Sequence, residues 1–157
     1  MDRFHDEDIY ISSTMVNIAG MPDLSGLTNA DRFAMNESDL LQLHGSNLQI
    51  FRNLMFFVEA DEALSNSPIN FGNNFSTIRV RLNRVVAMLE AVMEQRDFFQ
   101  TGFPTPPAVY LQPNGNELER NTRDLFVLQE MHSYLHVAHY DLYTWYSRHL
   151  YNYHASQ

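Results

Sequence analysis

Three histidines in one stretch of the chain, His132, His136 and His139, have the residue type and spacing closest to a metal site. Steps of four and three place their imidazoles near one face of an α-helix, and Glu130 precedes them. Metal sites in helical bundles, however, draw carboxylates and Glu-x-x-His pairs from several helices. The other long helices predicted below contain no such motif. We therefore interpret these residues as histidines at the surface or boundary of a helix, and we expect no metal and no cofactor.

The other common catalytic patterns are absent from the sequence. It contains no glycine-rich phosphate loop, no nucleophile elbow and no pair of carboxylates with a recognisable partner. The absence of cysteine excludes disulfides, thiol nucleophiles and thiolate metal ligands. We therefore expect a protein that is not an enzyme and has no catalytic residues.

Composition and charge restrict the class of protein. The chain of 157 residues is 45% hydrophobic, which fits a single domain, 1–157, with its own core. A net charge of −9 argues against binding to nucleic acid or to an anionic membrane surface. No apolar run approaches the roughly 20 residues that cross a bilayer. The acidic, polar N-terminus does not resemble a secretory signal, which favours a cytoplasmic location or non-classical release to the outside.

Hydrophobic periodicity predicts three long helices. The longest covers about 116–149, a stretch with neither proline nor glycine whose apolar residues recur at steps of three, four and seven. An earlier helix is predicted at about 36–64, where Asn36 or Ser38 can cap its start. A third is predicted at about 74–97. Such lengths are typical of elongated bundles.

The connections between these helices indicate a topology. About ten residues separate the first two helices, enough for an antiparallel hairpin, whereas the proline-rich connection 98–115 can cross the length of a bundle. Long crossovers mark the up-up-down-down bundles of growth-hormone-like cytokines. Residues 9–19 are interpreted as extended and 20–30 as a loop. We therefore expect an all-α, long-chain four-helix bundle whose fourth helix is missing, swapped or replaced by the N-terminal segment.

Four short motifs resemble the ciliary neurotrophic factor family of interleukin-6-type cytokines. They are Gly20-Met21-Pro22, Asp31-Arg32-Phe33, Asn47-Leu48-Gln49-Ile50-Phe51-Arg52, and Val127-Leu128-Gln129-Glu130-Met131 followed by Tyr134 and Asp141-Leu142. In the same order they are similar to the family's A–B loop, the opening of its helix B region, its helix B and its helix D. The resemblance covers roughly residues 20–143. The neighbouring cardiotrophin and cardiotrophin-like families stay open as alternatives.

The resemblance implies a neurotrophic cytokine, a growth factor that performs no chemistry. It would bind a specific cytokine receptor alpha chain and then gather the leukaemia inhibitory factor receptor and the shared beta signal transducer, which activate JAK kinases and STAT factors. Neuron differentiation is the expected response. The family's founder also lacks a signal peptide.

Receptor contacts follow from the matched positions. The resemblance implies an alpha-receptor surface at Asp31, Arg32, Phe33, Tyr134 and Asp141. It implies a contact for the leukaemia inhibitory factor receptor at Leu118 and Asn121, and one for the shared transducer at Arg79 and Arg84. Judged by residue type alone, the run Asp31-Arg32-Phe33 is also compatible with the ordinary start of a helix. Arg79 and Arg84 are likewise compatible with an ordinary solvated helix face.

The chain departs from the family pattern in several places. Asn121 lacks the cation of the family's Phe-x-x-Lys contact, and Val137 and Tyr143 stand where the family has arginines. The family's helix A has no full counterpart, which suggests an incomplete gene model, a truncated isoform or a divergent form. An apolar seam would then be exposed. We expect dimerisation, partial unfolding, or packing of residues 4–19 into part of the gap.

Two further interpretations of the sequence stay open. An aromatic cluster near the C-terminus either closes the core or forms a binding surface. Its members are Tyr140, Tyr143, Trp145, Tyr146, Tyr151 and Tyr153. The alternatives to a cytokine are an intracellular helical interaction module without catalytic activity and, from a different class, a metal-binding bundle protein.

Overall fold

The computed structural model describes residues 16, 18–66, 68–98 and 117–155, with side chains of the last helix as far as residue 148. Its helices are α1 (Asn29–Ala34), α2 (Glu37–Ala63), α3 (Gly72–Gln95) and α4 (Glu117–Ala155). No strand occurs in these ranges, so the all-α class is confirmed. The three long helices lie close to their predicted bounds, although α4 continues six residues past the predicted end, 155 against 149. No helix in the described part of the chain is long and apolar enough to cross a membrane.

Side-chain caps define the starts of α1 and α2. The Thr28 hydroxyl accepts from the Asp31 backbone N–H at 3.1 Å, while the Asp31 carboxylate accepts from the Thr28 N–H at 2.8 Å. These bonds form a capping box. Hydrogen bonds donated to the Asp31 carboxylate by the Thr28 hydroxyl, and then by the Thr28 backbone N–H, hold the pKa of Asp31 below its usual value of 3.8. Asn36, one of the two predicted caps, begins α2 and accepts from the Asp39 N–H at 2.8 Å. The short helix α1 was not predicted, since its first residues fell within the expected loop.

Helix α2 packs against both α3 and α4 and fixes their directions. An ion pair between Glu37 and Arg96 joins the start of α2 to the residue after α3. A second ion pair, between Asp61 and Arg123, joins the end of α2 to the start of α4. Helix α2 is therefore antiparallel to α3 and to α4, which run parallel to each other. The end of α3 and the start of α4 lie at opposite ends of α2, separated by roughly 40 Å of helix.

The hydrophobic core lies along α2 and takes side chains from all three long helices. Fully buried members include Leu41, Leu48, Phe51, Leu54, Met55, Val58, Val86, Met93 and Val127. Each such side chain stabilises the fold by about 1.5–3 kcal/mol relative to an exposed position. Ile18 also joins this core, and Val16 packs against it. That residues 4–19 pack into the gap left by a missing helix stays a prediction, and residues 4–15 and 17 lie outside the described ranges.

An apolar groove runs between α3 and α4. We call it the α3–α4 groove; its lining residues are Leu48, Val85, Leu135, Ala138, His139, Leu142, Tyr143 and Tyr146, and its volume is about 520 Å³. Val85, Tyr143 and Tyr146 are among the exposed large hydrophobic residues. Exposed apolar side chains therefore line a groove between these two helices, and its interpretation as the seam of a missing helix stays a prediction.

Candidate functional site

The interior of the protein, where α1 packs on α4, contains three of the residues predicted to contact the receptor: Arg32, Tyr134 and Asp141. Arg32 and Asp141, 109 residues apart in sequence, form an ion pair with an Nε–Oδ2 distance of 2.7 Å. Their side chains are only 4% and 6% exposed. The guanidinium also donates to the Leu27 carbonyl oxygen at 2.7 Å and to Asn29 Oδ1 at 2.5 Å. This one cation therefore ties the loop before α1, α1 itself and α4 together.

A histidine, a tyrosine and an asparagine extend this ion pair into a continuous network. His44 Nε2 lies 3.1 Å from Asp141 Oδ2, and His44 Nδ1 lies 2.9 Å from the Tyr134 hydroxyl. Asn47 Nδ2 donates to the same hydroxyl at 3.1 Å. We call Arg32, His44, Asn47, Tyr134 and Asp141 the buried polar cluster.

The hydrogen bonds of the cluster select one tautomer of its histidine. Because Asn47 donates to the Tyr134 oxygen, the Tyr134 proton is available to His44 Nδ1, and the imidazole proton then resides on Nε2, facing Asp141. A neutral His44 thus satisfies both of its ring nitrogens. Burial lowers the pKa of His44, against the opposing attraction of Asp141, and burial raises the pKa of Tyr134.

This arrangement predicts a loss of stability in mild acid. The folded-state pKa of His44 lies below the value of 6.5 for a free histidine, so below about pH 7 the unfolded chain takes up a proton that the folded chain resists. The contribution of the neutral, buried His44 to the free energy of unfolding is present above pH 6.5 and is lost as the pH falls through the folded-state pKa of His44. The imidazole faces Asp141, Arg32 and the Tyr134 hydroxyl, and an extra positive charge there meets Arg32 as well as Asp141.

Urea unfolding at pH 7.5, 6.5 and 5.5 measures this loss. We expect the free energy of unfolding to fall across the series, and to fall less steeply in a His44→Gln variant, which has no imidazole to protonate. Identical pH slopes in the two proteins would contradict the assignment.

The surface over the buried cluster carries aromatic and cationic side chains. Phe33 is 61% exposed. The guanidinium carbon of Arg148 lies 3.3 Å from the centroid of the Phe33 ring, and its Nη1 donates to the Phe33 carbonyl oxygen at 3.3 Å. A cavity of about 30 Å³ beneath is also lined by Tyr140 and Thr144 and is large enough to hold water. We call Phe33, Tyr140, Thr144 and Arg148 the Phe33–Arg148 surface.

The residues expected at the alpha receptor are therefore divided between interior and surface. Tyr134 and Asp141 are 5% and 7% exposed, which leaves almost no area for direct contact with a partner. Arg32 is buried beside Asp141, and the Asp31 carboxylate is engaged in the helix cap. Phe33 alone among them presents a large exposed side chain. A binding role for the buried members stays a prediction, and in this conformation it acts through the position of α1.

The residues expected at the signal-transducing receptors lie elsewhere. Leu118, at the start of α4, is 75% exposed, and Asn121 follows it on the next turn, partly exposed. Arg79 of α3 pairs with Glu59 of α2 at an Nε–Oε2 distance of 2.5 Å, so its charge serves the contact between these helices. Arg84 is exposed. The structure does not bring these residues together with the buried polar cluster.

His44 and Asn47 are the members of the cluster whose role the sequence did not reveal. His44 occupies a position in the apolar stripe of α2, three residues after Leu41 and four before Leu48. A polar residue within such a stripe is the available signal, because a buried polar group needs a hydrogen-bond partner. The partner itself, Asp141, is on a helix far away in sequence and has no local signature.

The C-terminal aromatic cluster is divided between the core and the surface, and the binding role of its exposed members stays a prediction. Trp145 packs against the core, and the Arg96 guanidinium lies 5.2 Å from the centroid of its ring. Tyr140, Tyr143 and Tyr146 are exposed. Tyr151 and Tyr153 lie beyond the last described side chain. This end of α4 thus contributes one aromatic ring to the interior and several to the surface.

No family model, curated protein or solved structure matches this chain. The proposals below therefore depend on its own residues, its geometry and the resemblance of its motifs.

Proposed function

We propose that this chain is a cytokine-like ligand of the ciliary neurotrophic factor type that gathers receptor chains. It binds a cytokine receptor alpha chain through the Phe33–Arg148 surface and then recruits the leukaemia inhibitory factor receptor and the shared beta signal transducer. JAK–STAT activation follows from that assembly. The chain performs no chemistry in this role.

The observation that carries this proposal is the convergence of three separate motifs. Arg32 comes from the Asp31-Arg32-Phe33 motif, Asn47 from the helix B motif, and Tyr134 and Asp141 from the helix D motif. All four belong to one hydrogen-bonded cluster. Accidental matches scattered along a chain have no reason to meet in space. Their meeting supports a common origin for the motifs, and it holds Phe33 at the surface beside Arg148.

The directions of the long helices also support the proposal. In an up-up-down-down bundle, the second helix is antiparallel to the third and fourth, which are parallel to each other. Helices α2, α3 and α4 have these relations, as the ion pairs at the two ends of α2 require. The α3–α4 groove would be the position of the remaining helix of such a bundle.

The chemistry of the Phe33–Arg148 surface is suited to a protein partner. Binding energy in interfaces concentrates on aromatic and arginine side chains that bury large areas at a small entropic cost. Phe33 and Tyr140 are both mostly exposed, while Arg148 is held against the Phe33 ring before any partner arrives. Leu118 with Asn121, and Arg79 with Arg84, remain the proposed contacts for the signal-transducing chains.

A Phe33→Ala variant tests the alpha-receptor contact directly. We expect the variant to bind an immobilised alpha-receptor ectodomain about 2 kcal/mol more weakly, roughly a thirtyfold rise in Kd. Phe56→Ala is the matched control, because the exposed fraction of Phe56 is 58%, close to the 61% of Phe33. Phe56 lies about 29 Å along the helix from Glu37, the first residue of α2, and so is far from the proposed contact. Surface plasmon resonance measures both.

Cells that carry defined receptor sets supply the second readout. The wild-type chain should raise STAT phosphorylation only where the alpha receptor is present, and Phe33→Ala should require a correspondingly higher dose. Equal affinities for the Phe33 and Phe56 variants would reject this surface, and a chain that binds no receptor ectodomain would reject the cytokine assignment.

The α3–α4 groove favours a second candidate, an intracellular helical interaction module without catalytic activity. An open apolar groove with exposed Val85, Tyr143 and Tyr146 can accept the apolar face of a partner helix. Co-elution with soluble receptor ectodomains separates the two candidates, because only a cytokine is expected to co-elute.

A further inference from the structure

We propose that His132 and His136 form a chelating site for a zinc-class divalent transition-metal ion on the outer face of α4. The two imidazoles are one helical turn apart, and both side chains are exposed. Their Nε2 atoms lie 3.2 Å from each other, with ring centroids 4.6 Å apart and ring planes at 83°. The inference is independent of the receptor proposal and revises the expectation that the chain has no metal site.

The separation of the two nitrogens matches that of ligands on one ion. Two imidazole nitrogens, each about 2.0–2.1 Å from a tetrahedral zinc ion, lie about 3.3–3.4 Å apart. The observed 3.2 Å is within the tolerance of about 0.2 Å that a metal site allows. Without metal, a single N–H···N hydrogen bond holds the pair, one ring donating and the other accepting. When a cation binds both Nε2 atoms, the donating ring moves its proton from Nε2 to Nδ1, so both rings stay neutral and almost in place.

The neighbouring histidines are differently engaged. The ring of His139 stacks on Tyr143, with centroids 6.2 Å apart and an interplanar angle of 23°. His44 is buried, and both of its ring nitrogens have partners. Within the described ranges, no group of three His, Cys, Asp or Glu side chains is placed to hold a metal ion. The site therefore offers two protein ligands, and the remaining coordination positions face solvent, where water or a partner's side chain completes them.

The ligand type restricts which ions bind. Imidazole nitrogen suits Zn²⁺, Ni²⁺ and Cu²⁺, whereas Ca²⁺ and Mg²⁺ require oxygen ligands. Cu²⁺ binds most tightly of the three by the usual order of divalent affinities, and Zn²⁺ is the ion that the tetrahedral nitrogen spacing fits. We therefore expect Zn²⁺ to bind and Mg²⁺ not to bind under the same conditions.

Titration of the untagged full-length chain with zinc chloride at pH 7.5 tests the site by calorimetry. We expect one ion per chain, and a loss of affinity of about tenfold or more in His132→Gln and in His136→Gln. The double variant should bind no more tightly than either single variant, because each single variant still keeps one imidazole while the double variant keeps neither. His139→Gln is the matched control and should stay within twofold of wild type. Each substitution is at an exposed position, and circular dichroism verifies the helix content.

Nuclear magnetic resonance of the imidazole nitrogens gives a second, independent readout. Zinc should shift the Nε2 resonances of His132 and His136 together and leave those of His139 in place. Unchanged affinity in His132→Gln or His136→Gln would overturn the proposal, as would a loss in His139→Gln equal to theirs.

Discussion

An Asp141→Ala variant is expected to lose about 3–5 kcal/mol of its free energy of unfolding, since it leaves the buried Arg32 guanidinium without its counter-charge. Arg32 and Asp141 have side chains only 4% and 6% exposed, so the guanidinium stays largely desolvated when the carboxylate is lost. The His44 Nε2–H loses its acceptor at the same time. Both consequences act in the same direction, which places this substitution among the most damaging in the chain.

Urea unfolding followed by circular dichroism measures the effect of the Asp141 substitution. Glu94→Ala is the matched control, because it removes the same charge from an exposed position of α3 and should change stability by less than about 0.5 kcal/mol. A double variant, Arg32→Met with Asp141→Leu, should recover part of the loss. The guanidinium is then gone, while the His44 N–H still lacks a partner. Similar losses in Asp141→Ala and Glu94→Ala would contradict the ion-pair assignment.

The same Asp141 variant connects the interior to the proposed function. If Asp141 holds α1 in place through Arg32, its removal should weaken alpha-receptor binding by about 1–3 kcal/mol although the carboxylate is buried. Asp141 then acts as a positioning residue and Phe33 as the contact. This distinction can be measured. The double variant, Arg32→Met with Asp141→Leu, should recover part of the receptor affinity that Asp141→Ala loses. The affinity that Phe33→Ala loses should not be recovered when the same two substitutions are added to it.

A Phe51→Ala variant is expected to lose about 3–5 kcal/mol, the cost of an aromatic-to-alanine cavity in a packed core. Phe51 is fully buried in α2, and its ring centroid lies 5.3 Å from that of Tyr134. The cavity would therefore open directly beside the buried polar cluster and remove a packing surface from Tyr134. A fall in Tm of roughly 2–4 °C for each kcal/mol is the expected calorimetric signature for a chain of this size.

Phe56→Ala again supplies the control, on the same helix and with the same change of side chain. Phe56 is 58% exposed and makes an edge-to-face contact with Phe57, with centroids 5.9 Å apart. Its loss should cost less than about 1 kcal/mol. An effect of Phe51→Ala as small as that of Phe56→Ala would mean that α2 does not supply the core as described.

The buried polar cluster explains why specific residues of the motifs can matter without touching a partner. A charged pair in the interior contributes little net stability compared with apolar residues of the same size, but it penalises arrangements that separate its members. Arg32 can satisfy its guanidinium only where Leu27, Asn29 and Asp141 surround it. The cluster therefore specifies where α1 docks, and with it where Phe33 is presented.

Local sequence information was sufficient for the three long helices. Their apolar residues repeat with the period of an α-helix over many turns, and Asn36 caps α2 as its type and position predicted. Helix α1 has only six residues, too few for a period to emerge, and its Thr28–Asp31 capping box was the remaining signal. The spacing of His132 and His136 is likewise local, and it placed both rings on one face before the structure showed their nitrogens converging.

The positions of the charged and polar side chains were decided only by the tertiary structure. Asp141 and Arg32 were assigned to a receptor surface, and the folded chain joins them with His44 inside the protein. Arg79 was assigned to a solvated face and pairs with Glu59. The physical reason is that helix formation depends on neighbours within a few residues, whereas the burial of a charge depends on a partner from a distant part of the chain.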